Sequence, residues 1–221
     1  MPLTRLPDGR LLLFAHVPKC AGTSVEHYLE AAFGPLALLD RKFTALPEGR
    51  RWSKTSPQHA DAETLARLFP PGFLAASFAL VRHPVARMVS VFRWQRDIEG
   101  TIAPETPFVD WLASLTERPR RRWTYDNHVR PMAEMVPGDA TVFRMEDGWD
   151  PVIDWLQALA GPGQILPRRM MTRNILDQRL AFEKRTAPPV HPGPDALALI
   201  AQTFAADFAR FGYDPKPEET P

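Results

Sequence analysis

The stretch FAHVPKCAGTS, residues 14–24, limits what this chain can fold into more than any other. An apolar run, Leu11 to Phe14, leads into it. Beyond it Val25, Tyr28, Leu29, Ala32 and Phe33 recur at i, i+3, i+4, i+7 and i+8, the spacing of one buried helix face. Pro18 to Ser24 is therefore a strand-to-helix turn, with Gly22 in its bend and Thr23 and Ser24 opening the helix. The first N–H groups of a helix lack partners and carry partial positive charge, so such a turn suits an anion. Lys19 adds a mobile cation, and the two hydroxyls add donors. Taken alone, the turn fits an ordinary connection with a capping hydroxyl equally well. It is not a Walker A loop, which places its Lys directly after the last Gly and a hydroxyl for Mg²⁺ after that Lys. Here Lys19 precedes Gly22.

A chain of 221 residues suits one domain, 1–221, with a full core. Its 44% hydrophobic and 24% charged residues are ordinary for a globular protein. A net charge of +1 gives no global field toward nucleic acid or an anionic membrane. The basic residues are 22 Arg and 5 Lys; Arg is the better planar partner for phosphate or sulfate, but a GC-rich genome gives the same bias. The 24 prolines are scattered, marking rigid turns rather than a linker. Cys20 stands alone, which excludes an intrachain disulfide and fits a reducing, cytoplasmic setting. The N-terminal apolar run is too short for a cleavable signal, and no stretch reaches the ~18 apolar residues of a membrane span.

Along the chain, residues 1–9 read as a polar lead-in ending at the Asp8-Gly9 turn. Arg10 to Val17 is a buried strand, and the first helix stops near Gly34-Pro35. Short strands are open possibilities at 36–39 and 52–54. A helix spans about 60–68, with Asp61 and Glu63 in its first turn. Phe73 to Val81 is a second, continuously apolar strand of the kind parallel sheets bury on both faces. Pro84 starts the next helix, with Val85, Met88, Val89 and Phe92 facing the core and Arg87, Ser90 and Arg93 elsewhere. Residues 98–107 form a loop, 108–115 a short helix, and Arg118 to Arg122 a basic loop. Tyr125 to Val136 is read as a helix interrupted at Pro131, Ala140 to Arg144 as a strand, and Trp149 to Ala160 as a helix. Residues 164–194 are irregular, suiting a lid or a surface meander. A last helix, about 195–211, carries Leu197, Ile200, Phe204, Phe208 and Phe211 on one face and stops at Gly212. Recurring strand–turn–helix units with long connections imply an α/β domain with a mostly parallel sheet, whose ligands bind at the strands' carboxyl ends.

A second candidate anion site falls at such an end. Residues 78–92, FALVRHPVARMVSVF, put Arg82 after a strand and Ser90 on the following helix. The turn His16-x-Pro18-Lys19-x-x-Gly22-Thr23-Ser24 resembles the 5′-phosphosulfate loop of sulfotransferases that use 3′-phosphoadenosine 5′-phosphosulfate (PAPS), in the form typical of their carbohydrate-type branch. Cys20 and Ala21 stand where Thr and Gly are common; both are small. The second stretch is similar to that family's 3′-phosphate motif, Val-Arg-x-Pro-x-x-Arg-x-x-Ser, through Arg82, Pro84, Arg87 and Ser90, with His83 where Asp or Asn is usual. TVFRMEDGW at 141–149 and DFARFGYDP at 207–215 add looser likeness. The resemblance implies a P-loop-like three-layer α/β/α sulfotransferase fold. It implies PAPS as donor, bound by Lys19, Ala21, Gly22, Thr23, Ser24, Arg82 and Ser90, and a small-molecule or glycan acceptor. Since Golgi members carry a membrane anchor, it also implies a soluble bacterial relative.

Sulfuryl transfer passes through a loose transition state in which charge grows on the leaving phosphate oxygen, as in phosphoryl transfer. Positioning and electrostatics then carry catalysis, and Lys19 is placed to meet that charge. No carboxylate cluster or Cys/His spacing suggests a metal. An acceptor hydroxyl needs a base. Of the six histidines, His59, between the two motifs and just ahead of a helix, is the choice; family members often place a catalytic His or Glu in this region. His128 is the runner-up, and His16, on the strand, is structural. A nucleotide kinase or NTPase would need a Walker A loop and an Asp for Mg²⁺; a non-catalytic nucleotide-binding module would bind donor without turnover.

Overall fold

The computed structural model describes residues 1–117, 123–173 and 176–215; the basic Arg118–Arg122 loop lies outside the described residues. Strands β1 (Leu3–Arg5) and β2 (Leu11–Ala15) lead into helices α1 (Gly22–Phe33) and α2 (Ala62–Leu68). Then come β3 (Ala76–Val81), α3 (Pro84–Asp97), α4 (Phe108–Glu117) and the single-turn α5 (Met132–Met135). β4 (Thr141–Arg144), α6 (Asp150–Ala160), α7 (Leu176–Phe182), α8 (Pro194–Thr203) and α9 (Ala205–Phe211) follow. Two compact units result: Met1–Val81 with Glu134–Asn174, and Arg82–Ala133 with Ile175–Pro221.

The first unit holds a four-stranded sheet in the order β1-β2-β3-β4. β2, β3 and β4 are parallel and only β1 is antiparallel, so the sheet is mostly parallel and flanked by helices, as expected. β2 and β3 are buried almost throughout, which explains why neither alternates polar and apolar residues. Phe14, Phe78 and Trp155 of α6 pack across the sheet, with ring centroids 5.0 Å (Phe14–Phe78) and 5.3 Å (Phe78–Trp155) apart. Because Ala15 pairs with Ala79 and Val81 with Arg144, the carboxyl ends of the three parallel strands share one edge.

Residues 1–9 are more than a lead-in. Leu3–Arg5 adds a strand through the Asp8-Gly9 turn, with Gly9 at φ 89°. Three residues are too few for a period to show in sequence. The possible strand at 36–39 amounts to one bridge, Leu3 to Ala37, and 52–54 forms none.

The second unit is helical. Met88, Val91 and Phe92 of α3, Ile102, Trp111 and Leu112, and Ala196, Ile200, Phe204 and Phe208 form its core. The expected terminal helix is two helices, broken at Phe204 (φ −111°, ψ 26°) so that its ring stays in the core. The expected helix from Tyr125 is instead a tight turn, and only Met132–Met135 is helical. Tyr125, Asp126 and Asn127 are all left-handed, a conformation Asp and Asn tolerate best. Asp207, fully buried, caps the four-residue α5 by accepting from the N–H groups of Met132 and Ala133 at 2.9 and 2.8 Å. Arg87 is set off the core face of α3 by the expected spacing, yet the structure encloses it. It is fully buried, and its Nη2 donates to the His128 carbonyl at 2.9 Å. Among its described residues the irregular stretch 164–194 holds one short helix, α7, ahead of α8.

Candidate active site

The turn after β2 is built from left-handed residues that are not glycine. Lys19 lies at φ 66° and Ala21 at φ 59°, ψ 24°. Val17 to Cys20 is a turn closed by the Cys20 N–H on the Val17 carbonyl, with Pro18 second and Lys19 third, as in type II turns. Ala21 then caps α1, its carbonyl accepting from Ser24 and Val25. The N–H groups of Gly22 and Thr23 start the helix, where no intrahelical acceptor exists, and a backbone alternating in hand turns successive N–H groups toward one side. Lys19, Ala21 and Thr23 are partly exposed there.

Gly22 is needed for a reason the sequence does not show. It is not left-handed. A Cβ at this position would fall inside the His16 imidazole, against Nε2, Cδ2 and Cε1. The His16 ring is the floor of the turn. Its Nδ1–H donates to Glu26 Oε1 at 2.7 Å, and Glu26, in the first turns of α1, is itself buried. The other Glu26 oxygen lies 3.8 Å from Arg41, which also forms a two-pronged pair with Glu30. Burial drives the His16 pKa below the ordinary imidazole value, against the pull of Glu26, so the ring is neutral at pH 7. Burial alone would raise Glu26, but the His16 hydrogen bond and the Arg41 charge outweigh it and hold the carboxyl below its ordinary range.

His59 ends a short 3₁₀ turn, Pro57–His59, and is 8% exposed. Its ring meets the His16 ring edge-on, centroids 4.8 Å apart. The fold thus brings Gly22, His16 and His59 into one contact chain. Ser24 is placed differently from Thr23: it is 1% exposed, and its Oγ accepts from the Arg173 N–H at 2.8 Å. Tyr28 donates to the Pro167 carbonyl and Gln164 to that of Ala32, so residues 164–173 run along α1 back to its start.

In the second unit Arg82 follows β3 directly and Ser90 lies on α3; both are partly exposed. Among the described residues neither side chain has a hydrogen-bond or ion-pair partner. His83 caps α3, its Nδ1 accepting from the Val85 N–H at 3.3 Å while Nε2–H donates to the Asp214 carbonyl at 3.0 Å. The rings of Phe208 and Tyr213 pack against it. An imidazole therefore caps this helix. Among the described residues no group of three or more His, Cys, Asp or Glu could hold a metal ion. No described helix is long and apolar enough to cross a membrane.

The family model described as "Sulfotransferase family" matches residues 6–214, running through both units. The chain belongs to the sulfotransferase family. A search of curated proteins and a search of solved structures each returned no match. Membership makes this chain a transferase of sulfuryl groups in the general sense. In this sulfotransferase, sequence reasoning missed Glu26 and Arg87, both charged and both buried. The one available signal for Glu26 was its place beside Val25 and Tyr28, at the edge of the apolar helix face. For Arg87 the family motif carried the position but not its burial.

Proposed function

We propose that this sulfotransferase moves a sulfuryl group from PAPS to an acceptor hydroxyl on a carbohydrate or small molecule. Lys19, Ala21, Gly22, Thr23 and Ser24 bind the 5′-phosphosulfate, and Arg82 and Ser90 bind the 3′-phosphate. The acceptor oxygen attacks sulfur in line as the bond from sulfur to the bridging phosphate oxygen breaks. Lys19 and the turn's N–H groups meet the charge growing on that oxygen. His59 takes the acceptor proton. Ser24 contributes through its hydroxyl hydrogen, its oxygen already accepting from Arg173.

The observation that supports this reading best is the turn itself. In a chain matched to the family over residues 6–214, two left-handed residues and a glycine floored by His16 open a helix beside Lys19. The base assignment draws on the contact of His59 with His16, the ring under that glycine. Calorimetry with adenosine 3′,5′-bisphosphate, 5′-AMP and ATP tests the donor assignment. The bisphosphate binds at least tenfold more tightly than 5′-AMP, and Arg82→Ala removes most of that margin. Equal affinities, or tighter magnesium-dependent binding of ATP, overturn it.

A further inference from the structure

Between α1 and α2 the chain runs through residues 34–61 with three 3₁₀ turns, one bridge and neither a strand nor an α-helix. His59 lies near the end of that connection, so no strand pairing ties it to the sheet. Side chains fix it instead. The Asp40 N–H donates to Gln58 Oε1 at 3.1 Å, and Gln58 Nε2 donates to the Asp40 carbonyl at 3.1 Å. Each end of the amide meets the partner it needs, and turning the amide over would lose both bonds. Asp40 is held in turn by its own side chain, whose Oδ1 accepts from the Lys42 N–H at 2.9 Å. Residues 40–58 are thereby one loop pinched at its neck, and His59 is the first residue past the pinch.

The other side of the neck is anchored to α1. Arg41, next to Asp40, makes a two-pronged pair with Glu30, Nη1 to Oε1 at 3.0 Å and Nη2 to Oε2 at 2.9 Å. Its Nη2 also comes within 3.8 Å of Glu26. The Arg41 side chain is 44% exposed, so the pair adds little stability; its two parallel bonds fix direction. From Glu26 the path returns through the 2.7 Å bond to His16 and the 4.8 Å ring contact to His59. His59, His16, Glu26, Arg41, Asp40 and Gln58 form a closed ring of contacts, all within the first unit. Because that ring includes the His16 imidazole under Gly22, it belongs to the Lys19 turn.

We propose that Gln58 and Arg41 are positioning residues: by closing the neck of loop 40–58 they hold the His59 imidazole against His16, in the place from which it takes the acceptor proton. The catalytic consequence rests on the reading of His59 as the base; the placement of its ring does not.

Nuclear Overhauser contacts between the His16 and His59 ring protons, assigned by their loss in His59→Gln, read the placement without turnover. They are present in the wild type and weaken at least twofold in Gln58→Ala and in Arg41→Ala. Turnover is followed as release of adenosine 3′,5′-bisphosphate from PAPS, with water as the acceptor. Both variants lose about tenfold in kcat, less than the ~10²-fold that a 1 Å misplacement can cost, and calorimetry finds bisphosphate affinity within about twofold of wild type. Arg41→Lys keeps a charge beside Glu26 but cannot make two parallel bonds, and behaves as Arg41→Ala. In Gln58→Ala the curve of kcat against pH loses height and keeps its midpoint, because the base is displaced and not retuned. In a His59→Ala background Gln58→Ala has no further effect on kcat. An unchanged ring contact in Gln58→Ala overturns the proposal. So does a wild-type kcat in Gln58→Ala or Arg41→Lys, an equal tenfold loss in the His59→Ala background, or a loss confined to donor affinity. If His59→Ala itself turns over as wild type, the base reading fails and the catalytic consequence with it, and the ring contact alone decides whether Gln58 and Arg41 hold His59.

Discussion

Replacing Gly22 with alanine separates local propensity from tertiary packing. Gly22 opens α1, and exchanging a helical Gly for Ala ordinarily stabilises by about 0.5–1 kcal/mol. The structure points the other way, because the new Cβ would occupy the His16 ring. That ring is 7% exposed and tied to buried Glu26, so it has no free rotamer to retreat to. Overpacking of this kind costs about 1–3 kcal/mol. Displacing the ring also breaks a hydrogen bond to a carboxylate, about 1.5–3 kcal/mol. After the propensity gain is set against these, a net loss of about 1.5–5.5 kcal/mol remains, or roughly 3–22 °C in Tm for a chain of this size. Thermal melts of wild type, Gly22→Ala, His16→Ala and the double variant form a cycle. With the ring gone, the added methyl has room, so the double variant is no less stable than His16→Ala alone. A Gly22→Ala protein melting at or above wild type, or simple additivity of the two losses, would refute the packing argument.

Ala21→Gly relieves a left-handed Ala at φ 59°. It raises stability by about 0.5–1 kcal/mol in denaturant titrations, the αL penalty of ~1–2 kcal/mol less the extra unfolded-state freedom of glycine. Acidification acts through His16 and Glu26 in the same direction, since both folded pKa values lie below the unfolded ones. The His16 contribution is complete above the unfolded imidazole value of 6.5 and is lost as pH falls below it, whereas that of Glu26 is lost only below its unfolded value of 4.5; melts between pH 7.5 and 4.5 therefore decline through His16, and decline less steeply in His16→Gln. Lys19→Ala lowers kcat far more than donor affinity, because its charge matters most once the bridging oxygen is negative; a raised donor KM with unchanged kcat would make Lys19 a binding residue only. His59→Ala cuts kcat by roughly 10²–10⁴ while adenosine 3′,5′-bisphosphate binds as before in calorimetry; wild-type turnover in this variant would remove His59 as the base.

Sequence by itself determined the features that depend on near neighbours. The apolar runs of β2 and β3, the 3.6-residue spacing of Val25, Tyr28 and Leu29, Pro84 at the start of α3 and Gly212 at the end of α9 are local signals, and each element formed where its signal stood. The two motifs likewise placed Lys19 in a turn ahead of a helix and Arg82 after a strand. Tertiary structure decided what distant residues do to one another. Gly22 is required because a ring six positions earlier folds under it, and nothing in the turn's own sequence reveals that distance. Glu26 is buried because His16 is there to donate to it, and Arg87 because the His128 carbonyl, forty-one residues on, accepts from it. The segment from Tyr125 lost its helix for the same reason. It was read as a helix interrupted at Pro131, but contacts with Arg87 and Gln95 accompany a left-handed turn that no local propensity would select. Charged and strained residues are legible only with their partners, because burial without a partner costs more than a short stretch of chain can supply.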